Sequence, residues 1–266
     1  MRIASVGHAV FAAILIAIGI ISLVQGGFGP IWDGVPKALP AREALAWLCT
    51  FICLACGVGL FWRRSATPAA RLLLAWLLLW MLLVKGRFIV LQPTVEVVYE
   101  SWGETAVLVA AAWVLYAWLA TDWDRKHAGF ATGDRGVRIA RVIYALALIG
   151  FGFSHIAYPT DTAGLVPAWI PGHMAWVYIT GTAYLAAAAA ILTGVWARLA
   201  ATLSVAQIAG FTLLVWGPSV IAGPKPDQWS EFVLSCALTA GAWVVADSYR
   251  GMPWLGVRWI PWREVR

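Results

Sequence analysis

Apolar residues occur along this chain in eight long runs, separated by shorter segments richer in Gly, Pro and charged residues. Each run approaches the length of about 20 residues that a helix needs to cross a bilayer. A helix is suited to lipid because it satisfies its own backbone hydrogen bonds. The pattern predicts an all-α integral membrane protein with eight transmembrane helices, which we number spans 1 to 8. They are predicted at residues 6–24, 43–62, 69–91, 102–120, 138–158, 173–194, 198–218 and 230–247.

The composition supports this interpretation and excludes two other classes of protein. Hydrophobic residues make up 62% of the 266 residues and charged residues 12%, against about 25% charged in a typical soluble domain. A soluble fold of this size has a polar surface that such a chain cannot supply. Intrinsic disorder is excluded because apolar burial is plentiful.

The formal net charge of +6 describes topology better than it describes a nucleic-acid surface. The charges are too sparse and scattered for a phosphate-binding face, so no nucleic-acid partner is expected. Most of the 19 Lys and Arg residues lie on the side that holds both termini and the connectors between spans 2 and 3, 4 and 5, and 6 and 7. Basic residues concentrate on the cytoplasmic side, which predicts that both termini are cytoplasmic.

The sequence also repeats itself at an offset of 131 residues. Coincidence of Gly, Pro and Glu residues is more informative than apolar matches in an apolar chain. We predict two four-helix repeats. Since each has an even number of spans, both have the same orientation, as parallel repeats. The coinciding pairs include Gly19 and Gly150, Pro36 and Pro167, Pro40 and Pro171, Gly86 and Gly217, and Glu100 and Glu231.

The segments between and after the repeats have distinct predicted places. The first connector (residues 25–42) and the fifth connector (residues 158–172) mix apolar residues with Gly and Pro, and we expect them to lie at the membrane interface or to dip into the protein. The tail combines Arg with Trp254, Trp259 and Trp262, which is typical of an interfacial anchor. The predicted parts are a first four-helix repeat at 1–120, a cytoplasmic linker at 121–137, a second four-helix repeat at 138–249 and an interfacial cytoplasmic tail at 250–266.

Short motifs in the second half carry a family resemblance. Residues 150–155 read GFGFSH, residues 165–171 read LVPAWIP, and VYITG and ILTG follow at 177–181 and 191–194. This order resembles the DoxX family of four-helix bacterial membrane proteins over residues 139–247. The first half resembles it through the repeat.

The resemblance implies a place and a kind of partner rather than a reaction. It implies the bacterial cytoplasmic (inner) membrane, with a respiratory or oxidative-stress protein as partner besides the lipid bilayer, and quinone as the cofactor to consider. At the repeat offset His155 corresponds to Val24. A function that needs this histidine therefore has one copy.

His155 and a charged cluster are the candidate ligand-binding residues. An ionisable side chain at membrane depth is a functional hypothesis, and His155 could donate to a quinone carbonyl or relay a proton. Lys85 and Arg87 end span 3, and Glu96, Glu100 and Glu104 begin span 4 at helical spacing.

Because spans 3 and 4 are neighbours, Lys85 or Arg87 is expected to pair with Glu100 or Glu104. A paired charge is how a membrane protein tolerates one. The cluster is interpreted either as a structural ion-pair network or as a pocket for an anionic or quinone-like ligand.

The other chemistry-bearing residues give weaker signals. Cys53 and Cys56 form a CxxC inside span 2 and are redox candidates, although apolar neighbours disfavour a thiolate and packing is the simpler role. No histidine pair has the spacing of HxxxH or HExxH, so no metal site is predicted.

Three hypotheses about function follow. The favoured one is a DoxX-like membrane subunit without catalytic activity of its own, which docks a redox partner or binds quinone or lipid. The second is a small-solute transporter built from parallel repeats. The third is a membrane thiol or quinol oxidoreductase that uses Cys53 and Cys56, or His155.

Overall fold

The structure is a computed structural model and describes residues 3–223 and 226–257. Within these ranges the regular secondary structure is helical, without a strand. Eight helices are long and apolar enough to cross a membrane, which confirms the eight spans expected from the pattern. Spans 1 to 8 are Val6–Gln25, Arg42–Phe61, Ala66–Leu91, Val97–Leu119, Gly133–Ala157, His173–Thr193, Ala197–Ile221 and Gln228–Asp247.

Two spans begin earlier than the hydropathy pattern predicts. Span 4 begins at Val97 rather than 102, because polar residues in its first turns find partners inside the protein and need no aqueous loop. Span 5 begins at Gly133, inside the predicted linker. The rest of the linker is compact, with a helix at Asp122–His127 and a 3-10 turn at Gly129–Ala131.

Successive spans pack against one another in chain order, and spans 4 and 8 close the arrangement. Span 4 contacts spans 3, 5 and 8, and span 8 contacts spans 1, 4 and 7. Buried alanines such as Ala106, Ala110 and Ala240 lie on spans 4 and 8 and permit close approach of helices. We call the end of the bundle with the first and fifth connectors the connector end, and the opposite end, with residues 120–132, the linker end.

Spans 3 and 7 each contain a π-helical turn, at Trp80–Lys85 and Thr212–Trp216. Each turn ends before a glycine, and the N–H of Gly86 or Gly217 donates to the carbonyl five residues earlier. The two glycines are 131 residues apart, so the irregularity recurs at the offset of the sequence repeat. π-turns are frequent at functional sites.

The connectors and the tail have different degrees of order in the bundle. In the first connector Trp32 is fully buried, so this segment dips into the protein as one expectation had it. The fifth connector forms a short helix, Pro159–Leu165. In the tail Trp254 lies under the Arg198 guanidinium at 4.0 Å, whereas Trp259 and Trp262 lie outside the described residues.

Close contact between spans 4 and 5 at Gly150 gives a first testable prediction. A Cβ at Gly150 would lie 2.9 Å from the backbone oxygen of Tyr99, an atom that cannot rotate away. We expect Gly150→Ala to lower the free energy of unfolding by about 1–3 kcal/mol, since overpacking forces the backbones apart. Thermal unfolding in mild detergent measures the change. Gly210→Ala is the control, because nothing lies within 4 Å of its Cβ position, and equal losses in both variants would contradict the prediction.

Candidate functional site

A cavity of about 150 Å³ lies among spans 4 to 8, beside the short helix Pro159–Leu165 and near the connector end. Its lining combines carboxyl, hydroxyl and imidazole groups with aromatic rings. No Lys or Arg is among the described residues that form it. The lining residues are Glu100, Glu104, Phe151, Ser154, His155, Thr162, Leu165, Tyr184, Ile208, Phe211, Trp216, Glu231, Leu234, Ser235 and Leu238.

His155 contributes a hydrogen-bond acceptor to this cavity. Its Nδ1 lies 2.8 Å from the carbonyl oxygen of Phe151, one helical turn earlier. A carbonyl only accepts hydrogen bonds, so Nδ1 carries the hydrogen and Nε2 is the acceptor. Nε2 is buried without a hydrogen-bond partner among the described residues. The ring packs edge-on against Tyr184 and Phe211, with centroid distances of 5.5 and 5.6 Å.

The acidic stripe of span 4 reaches the cavity with two of its three members. Glu100 accepts a hydrogen bond of 2.5 Å from the Ser154 hydroxyl on span 5, and Glu104 lines the cavity one turn further along. Glu96 precedes the first residue of the span and is not part of the lining. Its burial and the negative charge of Glu100 raise the pKa of Glu96 to about 7.

Lys85 has a different partner from the one predicted. Its side chain is 2% exposed, and Nζ donates to the Asp33 carboxylate and, at 2.6 Å, to the Ser101 hydroxyl. The predicted ion pair with Glu100 or Glu104 is wrong, because the first connector folds back into the bundle and delivers Asp33. Lys85 still interacts electrostatically with Glu104, so its cluster adjoins the cavity.

Arg87 lies outside the cavity lining. It donates to the carbonyl oxygen of Gly34 at 3.1 Å, and its guanidinium lies 4.5 Å from the centre of the Phe88 ring. The predicted pairing of Arg87 with Glu100 or Glu104 is therefore also wrong. The structure brings His155, Glu100 and Glu104 together and places Arg87 in the wall of the first connector.

The cysteines of span 2 belong to the core of the first half rather than to the cavity. Cys53 and Cys56 are fully buried, and all four cysteines are free thiols. The Cys53 sulfur accepts a hydrogen bond of 3.2 Å from the Trp32 indole. The described part of the chain contains no cluster of His, Cys, Asp and Glu suited to a metal ion.

The two halves differ at one equivalent place. In the second half the His155 ring packs against Tyr184 and Phe211. The residues 131 positions earlier are Cys53 and Trp80, and both contact Trp32 of the first connector. An internally satisfied tryptophan therefore fills, in the first half, the place that a histidine beside a cavity has in the second.

Several lining residues were not singled out from the sequence. Tyr184, Phe211 and Ser154 gave no chemical signal in an apolar and small-residue background, and their roles depend on which spans pack together. Glu231 did give a signal, because it coincides with Glu100 at the repeat offset. Both glutamates line the same cavity.

Comparison with known proteins yields one match. A family model described as a domain of unknown function (DUF8561) matches residues 144–215. The matched region covers the second part of span 5, all of span 6 and most of span 7, and it includes His155, Tyr184 and Phe211. No curated protein and no solved structure matches the chain.

Proposed function

We propose that the chain is a DoxX-like multi-pass protein of the bacterial inner membrane that binds a small ligand in the cavity beside His155. The observation that carries this proposal is the buried Nε2 of His155, a hydrogen-bond acceptor that faces no partner where Glu100 and Glu104 also meet the cavity. Buried polar groups are normally satisfied, so a ligand with hydrogen-bond donors completes the site.

We further propose that the bundle consists of two parallel repeats with both termini in the cytoplasm. The sequence offset of 131 residues and the recurrence of the π-turn at that offset support the repeat. The contact between spans 4 and 5 has a counterpart between spans 8 and 1, as a duplicated unit requires. The excess of Lys and Arg on the linker side supports the orientation.

The chemistry of the lining narrows the ligand. His155 accepts through Nε2, and carboxylates accept as well, so the cavity favours a ligand that donates hydrogen bonds. Quinol hydroxyls and a lipid headgroup amine or hydroxyl meet this requirement, whereas a quinone carbonyl would face acceptors. Docking of a respiratory or oxidative-stress protein rests on the family resemblance alone.

The other two hypotheses receive unequal support. Thiol redox chemistry at Cys53 and Cys56 is disfavoured, because both thiols lie in the packed core of the first half. A transporter built from parallel repeats is the second candidate, since the cavity lies at the contact between spans 4 and 8, where the two halves meet. Transport would require the same cavity to open toward the linker end.

Retention of a ligand by the purified protein tests the proposal. We expect native mass spectrometry from mild detergent to show a bound small molecule, and His155→Ala to reduce its occupancy at least ten-fold, because the substitution removes the buried acceptor. Decyl-quinol, added to the stripped protein, serves as the defined probe. His173→Ala is the matched control, since His173 begins span 6 outside the cavity lining.

The result that would overturn the proposal is equally clear. If the purified protein carries no small molecule and decyl-quinol binds the His155 and His173 variants alike, the cavity is not a ligand site. A melting temperature close to that of the unchanged protein shows that the His155 variant is folded.

A further inference from the structure

We infer that the ligand of this cavity is a small organic ammonium ion, whose charge Lys85 supplies internally in the first half. The inference rests on the proposed function, because it requires that the cavity bind a ligand. It adds the charge and the chemical class of that ligand.

The charge inside the bundle near the cavity is unbalanced. Glu104 interacts electrostatically with Glu100, Glu231 and Asp33, and Lys85 is the one basic group in that set. Carboxylates within a membrane-spanning bundle are costly unless a proton or a cation balances them. A neutral quinol would satisfy the acceptors but would leave the charge as it is, whereas a cation satisfies both requirements.

The repeat offers an internal comparison of how the protein holds an ammonium group. In the first half the Lys85 ammonium is buried between the Asp33 carboxylate and the Ser101 hydroxyl. The residue 131 positions after Lys85 is Trp216, which lines the cavity. The second half therefore keeps carboxyl and hydroxyl groups around this place but has an aromatic ring where the first half has its own cation.

The aromatic part of the lining favours an organic cation over a metal ion. Phe151, Tyr184, Phe211 and Trp216 surround the polar groups, and aromatic faces attract ammonium ions when water is excluded. Among the described residues no group of ligands is suited to a metal ion. Because His155 Nε2 accepts a hydrogen bond, an ammonium ion that retains an N–H fits better than a quaternary one.

The size of the cavity restricts the ligand further. Its volume of about 150 Å³ is below the roughly 300–1,000 Å³ of sites for drug-sized ligands. A short alkylammonium ion, with its charged end at Glu104 and its alkyl chain among the aromatic rings, satisfies the charge, the hydrogen-bond acceptors and the space.

The test compares two probes that differ in charge, n-butylammonium and the neutral n-butanol, on the full chain in nanodiscs by isothermal titration calorimetry. We expect n-butylammonium to bind at least ten-fold more tightly than n-butanol. Glu104→Gln should reduce its affinity at least ten-fold. Glu43→Gln is the matched control, because Glu43 is exposed in the first turn of span 2 at the same end of the bundle.

A steric variant locates the binding. Thr162 lines the cavity from the short helix Pro159–Leu165, so Thr162→Trp should abolish binding of n-butylammonium. Thr160, on the same helix, is exposed, and Thr160→Trp should leave the affinity unchanged. Both variants should retain the melting temperature of the parent protein, because neither position belongs to the core.

The outcomes separate this inference from the proposed function. Equal affinities for the two probes, both lost in Thr162→Trp, would overturn the positive charge of the ligand and leave the cavity as a ligand site. Binding of neither probe would also overturn the inference, and retention of a native ligand that depends on His155 would still support the proposed function. Binding of n-butylammonium that persists in Thr162→Trp would place the ion elsewhere and overturn the inference.

Discussion

Replacing Asp124 with Ala is expected to lower the free energy of unfolding by about 3–5 kcal/mol, the usual cost of removing one partner of a buried charge network. Asp124 is fully buried at the linker end. Its carboxylate accepts hydrogen bonds from Arg71 at 2.7 Å, Tyr116 at 2.9 Å, and the hydroxyl and backbone N–H of Thr121 at 2.6 and 2.9 Å. The network ties the linker helix to spans 3 and 4, so the loss extends beyond one local contact.

The protonation of Asp124 gives the same prediction a pH dependence. Burial by itself raises the pKa of Asp124, but the hydrogen bonds from Thr121 and Tyr116 and the charge of Arg71 outweigh burial and lower it to about 2. An unfolded Asp titrates near 3.9. A pKa lowered in the folded state contributes stability that is present above about pH 4 and is lost as the pH decreases toward 2.

Thermal or denaturant unfolding in detergent, at neutral pH and along an acid series, measures both effects. Asp122→Ala is the matched control, because Asp122 lies in the same short helix with a fully exposed side chain and an exposed ion pair to Arg125. Such pairs contribute about 0–1 kcal/mol. Similar losses in the two variants, or an acid transition in Asp124→Ala as large as in the unchanged protein, would contradict the prediction.

Asp33→Asn is expected to lower the free energy of unfolding by about 2–4 kcal/mol, because it removes the counter-charge of a buried ammonium. Lys85 is 2% exposed and cannot return to water without opening span 3, whereas the Asp33 side chain is 56% exposed. The reverse substitution, Lys85→Met, should cost less, since Asp33 can be hydrated where it stands. The two substitutions therefore have unequal effects on one ion pair.

A double-mutant cycle separates the ion pair from other effects of the substitutions. In the Lys85→Met background, Asp33→Asn should have little further effect on the unfolding midpoint. Asp161→Asn, at an exposed position of the fifth connector, controls for loss of a carboxylate at the same end of the bundle. Additive effects of Asp33→Asn and Lys85→Met would show that the pair does not stabilise the fold.

The two halves of the bundle share a pattern of spans and differ in how they use the space near the connector end. The first half closes that space with Trp32, which packs against Trp80 at a centroid distance of 5.1 Å and donates to Cys53. The second half leaves a cavity beside His155. This division explains why a duplicated chain has one candidate site, and why the site residues differ from their counterparts at the repeat offset.

The eight spans could be predicted from the sequence because the signal for each is local. A run of about 20 apolar residues specifies a helix in lipid whichever neighbours it has. The spacing of Glu100 and Glu104 likewise placed both on one face of span 4, since helical periodicity is a property of the segment itself. The beginnings of spans 4 and 5 were misjudged, because residues such as Ser101 are polar in composition but hydrogen-bonded inside the protein.

The sequence by itself therefore determined the number of spans, the offset of the repeat and the scarcity of charges that made His155, Lys85 and Glu104 stand out. Only the tertiary structure decided that Lys85 pairs with Asp33, that His155 and Glu104 meet one cavity, and that Cys53 is sealed under Trp32. These outcomes depend on the paths of two connectors and on which helices touch. In lipid, helices associate through close packing and hydrogen bonds between distant residues, which a pattern along one segment does not contain.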